Sequence, residues 1–281
     1  MIVVLALLVA GCAQDDSTEA AQGTVPNAGT VPTGQGGPVS LPALPSAERR
    51  PTADDPLRVV LIGDSFMGNL ASALDPVLDD GDLSEADFRL FTVLPRATAD
   101  EVLWRDMLEE DDPDLIVLLI GGWEDQRAYE IDGRLGSTAW QQNYREQVLE
   151  PFADLATSTG AQLLWVGFPP VGNPRATTTH VKMNRAFEQV AADDPDVVYI
   201  DSGPFLFAGD GEEYTETIDD AGGPVRLRSN DSHLCPEAVV RLAEPLLAMI
   251  EGAWSIDVDD AWADGDWRQA DLLPDPATCD L

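Results

Sequence analysis

One serine stands where a predicted strand turns directly into a predicted helix. An apolar run ends in Gly63 and Asp64, and Ser65 follows. A hydroxyl at such a turn lies at the carboxyl edge of a sheet, and a backbone N–H at a helix N-terminus can face a developing oxyanion. Gly63 permits the tight turn. Ser65 is therefore a candidate nucleophile, and the alternative is that it only caps the helix.

A serine nucleophile needs a base, and the chain contains two histidines. His180 follows a run of threonines at the start of a predicted helix, where we expect a surface residue. His233 stands three residues before Pro236, at which the last predicted helix begins. We therefore predict that His233 is the general base that activates Ser65.

The elements that must position these residues alternate between apolar runs and helical stretches. Continuous apolar runs are typical of strands buried on both faces, and their alternation with helices predicts a mostly parallel sheet covered on both sides. Sites in such folds gather at the carboxyl ends of the strands. We predict an α/β three-layer sandwich with a mostly parallel five-stranded sheet. The predicted strands are 57–62, 88–94, 115–120, 162–168 and 197–200, and the main predicted helices are 66–78, 98–108 and 236–251.

Composition excludes some classes of function. The 281 residues are 44% apolar, which allows one domain with a sizeable core. There are 51 acidic against 16 basic side chains, which gives a formal charge of −35. Such a chain repels polyanions, so we expect no nucleic-acid partner. The histidines are far apart in the sequence and no cysteine pair has zinc-finger spacing, so we predict no metal and no cofactor.

The N-terminal region resembles a bacterial lipoprotein signal. An apolar run from Ile2 to Ala10 leads into Gly11 and Cys12, as in a lipobox, and Cys12 is then the lipidated residue. No Lys or Arg precedes the apolar run, so we expect the true start to lie upstream. The alternatives are a plain cleaved signal peptide or an N-terminal anchor, and each of them predicts an exported domain. We divide the chain into a signal and lipobox (1–12), a disordered linker rich in small and polar residues (13–56), a catalytic domain (57–253) and an acidic tail (254–281).

Two blocks of this sequence together resemble the SGNH (GDSL-like) hydrolases. The turn Gly63–Asp64–Ser65 matches the family's first block, and the run His233–Leu234–Cys235–Pro236 before the last helix matches its final block. The likeness covers roughly residues 57 to 253. The most similar subgroup is the actinobacterial cell-envelope kind, which is also found as the C-terminal domain of some membrane acyltransferases. The resemblance implies a flavodoxin-like SGNH fold and ester hydrolysis or acyl transfer.

The resemblance also assigns the supporting residues, with departures from the family pattern. The family has an Asp three residues before its His, where this chain has Asn230, and Asp231 stands one residue closer. An amide in that place can select the wrong imidazole tautomer, at a cost of about 10⁴ in rate. We rank Asn230 as the orienting residue and Asp231 as a possible substitute.

The oxyanion blocks depart from the family as well. The family's Gly-x-Asn-Asp corresponds to 121–124, so Trp123 replaces the oxyanion-binding Asn and Glu124 replaces the Asp. The second-block glycine is absent, and Ala97 is in the region that would replace it. We predict Ala97, Gly122, Trp123 and Glu124 as oxyanion or pocket residues, with packing at the strand end as the alternative for the last two.

The remaining cysteines and three tryptophans are predicted to attach the tail to the rest of the protein. With Cys12 lipidated, Cys235 and Cys279 remain, and an oxidising compartment favours a disulfide between them over two free thiols. That bond would tie the tail to the loop that contains His233. The tail's tryptophans are predicted to be packing anchors, and a sugar platform is the alternative. They are Trp254, Trp262 and Trp267.

Two functions of different classes follow from the sequence. The first is a serine esterase or O-acyl transferase that acts on ester-linked acyl groups of cell-envelope glycans or lipids, held at the extracytoplasmic face of the membrane by its lipid. The second is a non-catalytic glycan-binding or scaffolding lipoprotein with a degenerate SGNH site. The distance between Ser65 and His233 discriminates between them, because a general base must lie within hydrogen-bond reach of its nucleophile.

Overall fold

A computed structural model describes residues 29–31, 39–46, 49–79, 83–96, 98–207, 214–220, 222–230 and 232–281. A central sheet holds the fold together. Its strands are β3 (Leu57–Gly63), β4 (Ser84–Leu90), β5 (Leu115–Leu119), β6 (Gln162–Val166) and β7 (Val197–Ile200). Short hairpins are formed by β1 (Gly29–Val31) with β2 (Val39–Leu41) and by β8 (Thr217–Asp220) with β9 (Gly223–Arg226).

The helices connect these strands. They are α1 (Ser65–Asp79), α2 (Thr98–Asp111), α3 (Glu124–Arg127), α4 (Thr138–Tyr144), α5 (Glu150–Thr157), α6 (Pro174–Asp193), α7 (Gly203–Leu206) and α8 (Pro236–Trp254). A π-helical stretch, Arg145–Leu149, joins α4 to α5, and 3-10 turns follow α8. None of the described helices is long and apolar enough to cross a membrane.

The five strands are all parallel and run in the order β4-β3-β5-β6-β7. This is the doubly wound order in which the connection reverses direction between β3 and β5, and sites form outside the carboxyl ends of the strands at that reversal. The predicted fold class is confirmed. Ser65 and the segment 121–124 follow the two strands that flank the reversal, so topology alone brings these parts of the chain together.

Alternation along the strands explains the three layers. In β3, Val59 and Leu61 pack into the core beneath α1 and α8, whereas Val60 and Ile62 pack into the core on the side of α5 and α6. Residues in β5 alternate in the same way. Both strands therefore consist almost entirely of apolar residues, and the exception is Arg58, which is partly exposed near the start of β3.

The edge strand β4 differs from its prediction. The apolar run 88–94 was expected to form the strand, but β4 covers Ser84–Leu90 and pairs with β3 alone. One neighbour and partial exposure allow polar residues such as Glu85 and Asp87 in this strand. Apolar content therefore marks β4 less clearly than it marks the central strands.

The linker prediction is wrong for the residues between 39 and 56 that the structure describes. Leu41 and Leu44 are buried in the core beneath α8. The Arg49 guanidinium donates to both carboxylate oxygens of Asp114, at 3.1 and 2.5 Å. The average composition of this segment is poor in large apolar groups, but two leucines and one arginine are enough to dock it. The rest of the predicted linker and the signal, including Cys12, lie mostly outside the described residues.

Candidate active site

The turn after β3 is set by close approach to β5. A Cβ atom at Gly63 would overlap the carbonyl oxygen of Leu119, so only glycine lets the two strands end side by side. Asp64 Oδ1 accepts the N–H of Phe66 at 3.0 Å and so performs the capping that was the alternative role for Ser65. The Ser65 side chain is exposed and remains available for other contacts.

Asp64 also joins the ends of the two strands. Its Oδ2 accepts the N–H groups of Gly121 at 3.1 Å and Gly122 at 2.7 Å. Burial raises the pKa of Asp64, and the donated N–H groups and the nearby His233 oppose that rise. Gly122 was predicted as an oxyanion or pocket residue, but its N–H is already bonded to Asp64. Its function in this structure is to fix the loop after β5.

Ser65 and His233 come together although 168 positions separate them. His233 Nε2 lies 3.1 Å from Ser65 Oγ, which is within hydrogen-bond reach. Asn230 Nδ2 lies 3.2 Å from His233 Nδ1 on the other side of the ring. The structure thus brings the side chains of Ser65, His233 and Asn230 into one continuous row, and the catalytic roles predicted for them stay predictions.

The orientation of Asn230 is fixed by its own loop. Its Oδ1 accepts the backbone N–H groups of Ser232 at 2.8 Å and of His233 at 3.0 Å. The amide nitrogen must therefore face the imidazole, and as a donor it requires a lone pair on Nδ1. In a neutral imidazole the proton then stands on Nε2 and points toward Ser65. This is the tautomer opposite to the one that a general base uses.

Glu124, after β5, points into the protein interior and does not line the cavity beside Ser65. Glu124 is fully buried and its two oxygens accept from Arg96, from Tyr144 Oη at 3.1 Å and from the Leu94 N–H at 3.1 Å. Burial raises the pKa of Glu124, and the Arg96 charge opposes this. Glu124 was predicted as a possible pocket residue and is instead an internal anchor, which was the packing alternative.

Trp123, Ala97 and Asp231 complete the predicted set. The indole of Trp123 is 57% exposed at the start of α3. Ala97 and Asp231 lie outside the described residues. Their predicted functions therefore stay predictions.

His180 is a correction to the sequence analysis. It was expected on the surface, but it is 2% exposed on the inner face of α6, with its ring 4.3 Å from that of Phe168. Burial lowers the pKa of His180 to about 4, so this histidine stays neutral near neutral pH. Within the described residues, no group of His, Cys, Asp and Glu could hold a metal ion.

Comparison with known proteins identifies the family. Residues 58–248 match the model of a family described as "Protein of unknown function (DUF459)". The chain belongs to the DUF459 family. Among curated proteins, none matches the sequence significantly.

Solved structures similar to this DUF459 chain include two esterase-type proteins. One is a GDSL-like lipase from Bacteroides thetaiotaomicron, with 12% identity and a TM-score of 0.47 over 74% of this chain and 91% of that chain. Another is a family 3 carbohydrate esterase from Clostridium thermocellum, with 15% identity and a TM-score of 0.41 over 68% of this chain and 93% of that chain.

The tail beyond the DUF459 match packs against the site. The predicted disulfide between Cys235 and Cys279 is present and ties the tail to the loop of His233. Trp254 and Trp267 are buried in the core and Trp262 packs against it, as expected for packing anchors. A cavity of 490 Å³ opens beside Ser65 and His233, and residues of the tail form one of its walls.

Sequence reasoning missed two residues that hold the DUF459 site together. Asn69 lies one turn after Ser65 and is 2% exposed. Its Oδ1 accepts the Leu234 N–H at 3.0 Å, next to His233, and its Nδ2 donates to the Leu272 carbonyl at 2.7 Å in the tail. The available signal was an amide within the apolar stretch of α1.

The second missed residue is Arg228, which is fully buried. It donates to the carbonyls of Ser232 at 2.5 Å and Pro170 at 3.1 Å, and its guanidinium lies over the ring of Phe66. Burial lowers the pKa of Arg228 to about 9. This side chain supports the loop that ends at His233, and nothing in its sequence context distinguishes it from a surface arginine.

Proposed function

We propose that this protein is a serine esterase or O-acyl transferase that acts on ester-linked acyl groups of cell-envelope glycans or lipids. The observation that supports the proposal is the row formed by Ser65, His233 and Asn230, with 3.1 and 3.2 Å between successive side chains. A nucleophile, a base and an orienting group at such distances are the parts of nucleophilic acyl transfer.

In the proposed reaction, Ser65 Oγ attacks the acyl carbon and its proton passes to His233 Nε2. The Ser65 N–H opens α1 and is one of the amides without an acceptor inside the helix, so it can donate to the oxyanion. The C–O bond to the alcohol then breaks, and His233 returns the proton to the leaving oxygen. Water or a sugar hydroxyl then attacks the acyl-enzyme and loses its proton to His233. The bond between the acyl carbon and Ser65 Oγ breaks, and His233 returns that proton to Ser65 Oγ.

Asn230 makes the proposed enzyme a slow one. Proton transfer to Nε2 requires a lone pair there, so the imidazole must move its proton to Nδ1 and the Asn230 hydrogen bond must break first. In serine triads, an amide in place of the carboxylate costs about 10⁴ in kcat for this reason. We therefore propose turnover well below that of an enzyme with a carboxylate at this position.

Covalent labelling tests the proposal. A fluorophosphonate probe reacts with an activated serine, and intact mass reports one adduct per chain. We expect one adduct on the wild-type protein, no adduct on Ser65→Ala and much slower labelling of His233→Ala. Thr178→Ala is the control for removal of an exposed hydroxyl, because Thr178 lies on α6 and does not line the cavity beside Ser65, and it should label normally. Unchanged labelling in Ser65→Ala would exclude the proposed mechanism.

A second candidate function is favoured by the hydrogen bonds of the site. Asn230 presents a donor to the imidazole, and the Gly121 and Gly122 N–H groups are bonded to Asp64. Both features suit a non-catalytic glycan-binding lipoprotein that retains the fold. Glycan binding that persists in Ser65→Ala, together with the absence of labelling in a folded protein, would favour this alternative.

The proposed location is the extracytoplasmic face of the cell membrane, with a lipid on Cys12. The support is the lipobox-like sequence that ends at Cys12. Metabolic labelling of the full chain with an alkyne fatty acid tests it. We expect label in the wild type and none in Cys12→Ala, and label on neither protein would contradict the anchor.

A further inference from the structure

The cavity beside Ser65 has apolar walls from two distant parts of the chain. Phe88 and Leu90, at the end of β4, contribute one wall. Leu272 and Leu273, in the tail, contribute another. Leu90 is 65% exposed and Leu272 is 50% exposed, although neither position needs an apolar side chain for the core. Exposed leucines that line a cavity next to a nucleophile are suited to contact with a bound apolar group.

The charge of this cavity selects against anions. Asp275 lines it together with the leucines, and no lysine or arginine is among the described residues that line it. The chain as a whole has a formal charge of −35. A carboxylate or phosphate at the end of a bound group would lie near like charge, which disfavours binding.

The tail wall is held in place by contacts with the catalytic loop. Asn69 donates to the Leu272 carbonyl and accepts from Leu234, and the disulfide joins Cys279 to Cys235 two residues after His233. The wall and the imidazole therefore share anchors. A wall that is fixed relative to the base can discriminate between acyl groups of different length, because no free energy is spent on ordering the wall when the group binds.

We propose that this cavity is the acyl-binding cleft and that it selects an uncharged, apolar acyl chain longer than acetyl. The inference rests on the proposed acyl-transfer function and adds its substrate class. Each methylene buried between the two walls should raise kcat/KM by about fourfold until the cleft is filled.

A series of p-nitrophenyl esters from acetyl to octanoyl tests this inference with the full, disulfide-bonded protein. We expect kcat/KM to rise with chain length in the wild type. Leu90→Ser and Leu272→Ser should reduce the increase per methylene. Leu103→Ser is the matched control, because Leu103 is also exposed, at 58%, but lies on α2 and does not line the cavity. Labelling rates with alkyl fluorophosphonates of increasing length give a second readout.

A charged ester tests the second half of the inference. We expect the wild type to prefer a butanoyl ester over a succinyl ester of the same length by about tenfold or more. Asp275→Asn should reduce this preference, because it removes the charge and keeps the oxygen that accepts the Ala277 N–H at 3.0 Å. Equal kcat/KM values of the wild type for the butanoyl and succinyl esters would contradict the exclusion of anions.

The possible results distinguish failure of the acyl-binding cleft from failure of the proposed esterase or transferase function. Turnover or labelling that is independent of chain length would overturn the acyl cleft and leave the esterase proposal intact. A chain-length dependence that survives both leucine substitutions would also overturn the cleft. No turnover and no labelling in a folded protein would reject the proposed function and the cleft together.

Discussion

The ends of β3 and β5 lie side by side, but their polar residues have opposite surroundings. After β3, Ser65 is exposed and meets His233 at hydrogen-bond distance. After β5, Glu124 is fully buried and closed in by Arg96, Tyr144 and the chain near Leu94. Asp64 links the two ends through the N–H groups of Gly121 and Gly122. Position at the switch point of the sheet therefore does not make a residue catalytic. The partners available to each side chain decide whether it faces a substrate or supports the fold.

The largest effect that we expect is at the end of β3, where a substitution at Asn230 should change kcat. Asn230→Asp places an acceptor opposite His233 Nδ1 and should move the imidazole proton from Nε2 to Nδ1. We expect kcat for a small ester to rise by about 10² to 10⁴, because the wrong tautomer no longer has to be corrected. Steady-state kinetics measures the gain, and nitrogen NMR shifts of the His233 ring report the tautomer.

The control for that substitution is its combination with Ser65→Ala. The gain in kcat must disappear in this double variant if it comes from the proposed row of residues. Asn230→Ala removes the donor that selects the wrong tautomer but supplies no acceptor for an Nδ1 proton, so its gain should be well below that of Asn230→Asp. A rise in kcat that persists without Ser65 would mean that a different group attacks the ester.

At the end of β5 we expect loss of stability instead of a change in chemistry. Glu124→Gln removes the charge that compensates buried Arg96 and should lower the free energy of unfolding by about 3 kcal/mol. Denaturant unfolding measures this. Glu130→Gln is the matched control, because Glu130 lies 3.6 Å from the same arginine but is 63% exposed, and we expect a loss below about 0.5 kcal/mol. Equal losses in the two variants would refute the distinction between buried and exposed partners.

The disulfide should affect the β3 end selectively. Replacing Cys235 and Cys279 together by alanine removes a cross-link between positions 44 residues apart, which should cost about 2–4 kcal/mol in unfolding free energy. It should also raise KM for long esters, because the tail wall loses an anchor. Chain-length profiles of both proteins, recorded well below the unfolding temperature, check this. A lower unfolding temperature with an unchanged profile would separate the tail's contribution to stability from the cleft.

The smallest expected effect comes from a carboxyl on α1 with acidic neighbours. Burial, together with Asp79 and Asp87, raises the pKa of Asp75 to about 6. Its raised pKa means that ionisation opposes folding, so stability is lost as pH rises from about 4 through 6. Because Asp75 is only half-buried, we expect Asp75→Asn to stabilise the protein by about 1 kcal/mol at neutral pH and by less below about pH 5. Unfolding at both pH values tests this, and exposed Asp54→Asn should show no such difference.

Local patterns were enough to predict a five-stranded parallel sheet, although they misplaced β4, because alternating strands and helices follow from periodicities within a few residues. The two sequence blocks pointed to Ser65 and His233, and the family resemblance added Asn230. The burial of Glu124 could not be predicted, because it depends on Arg96 and Tyr144, which are remote in sequence. The tail wall could not be predicted either, since it rests on contacts such as that of Asn69 with Leu272, 203 positions away. The family match ends at residue 248, before this wall begins.

Asp275 has a consequence for the end of the proposed reaction. Hydrolysis converts a neutral acyl group into a carboxylate, so a negative charge appears inside a cleft that already holds Asp275. Repulsion then favours departure of the free acid, and it is stronger at low ionic strength, where charges are less screened. Transfer of the acyl group to a sugar hydroxyl creates no new charge and gains nothing from this repulsion. The same aspartate that excludes anionic substrates therefore makes the exit of a hydrolytic product more favourable than that of a transferred ester.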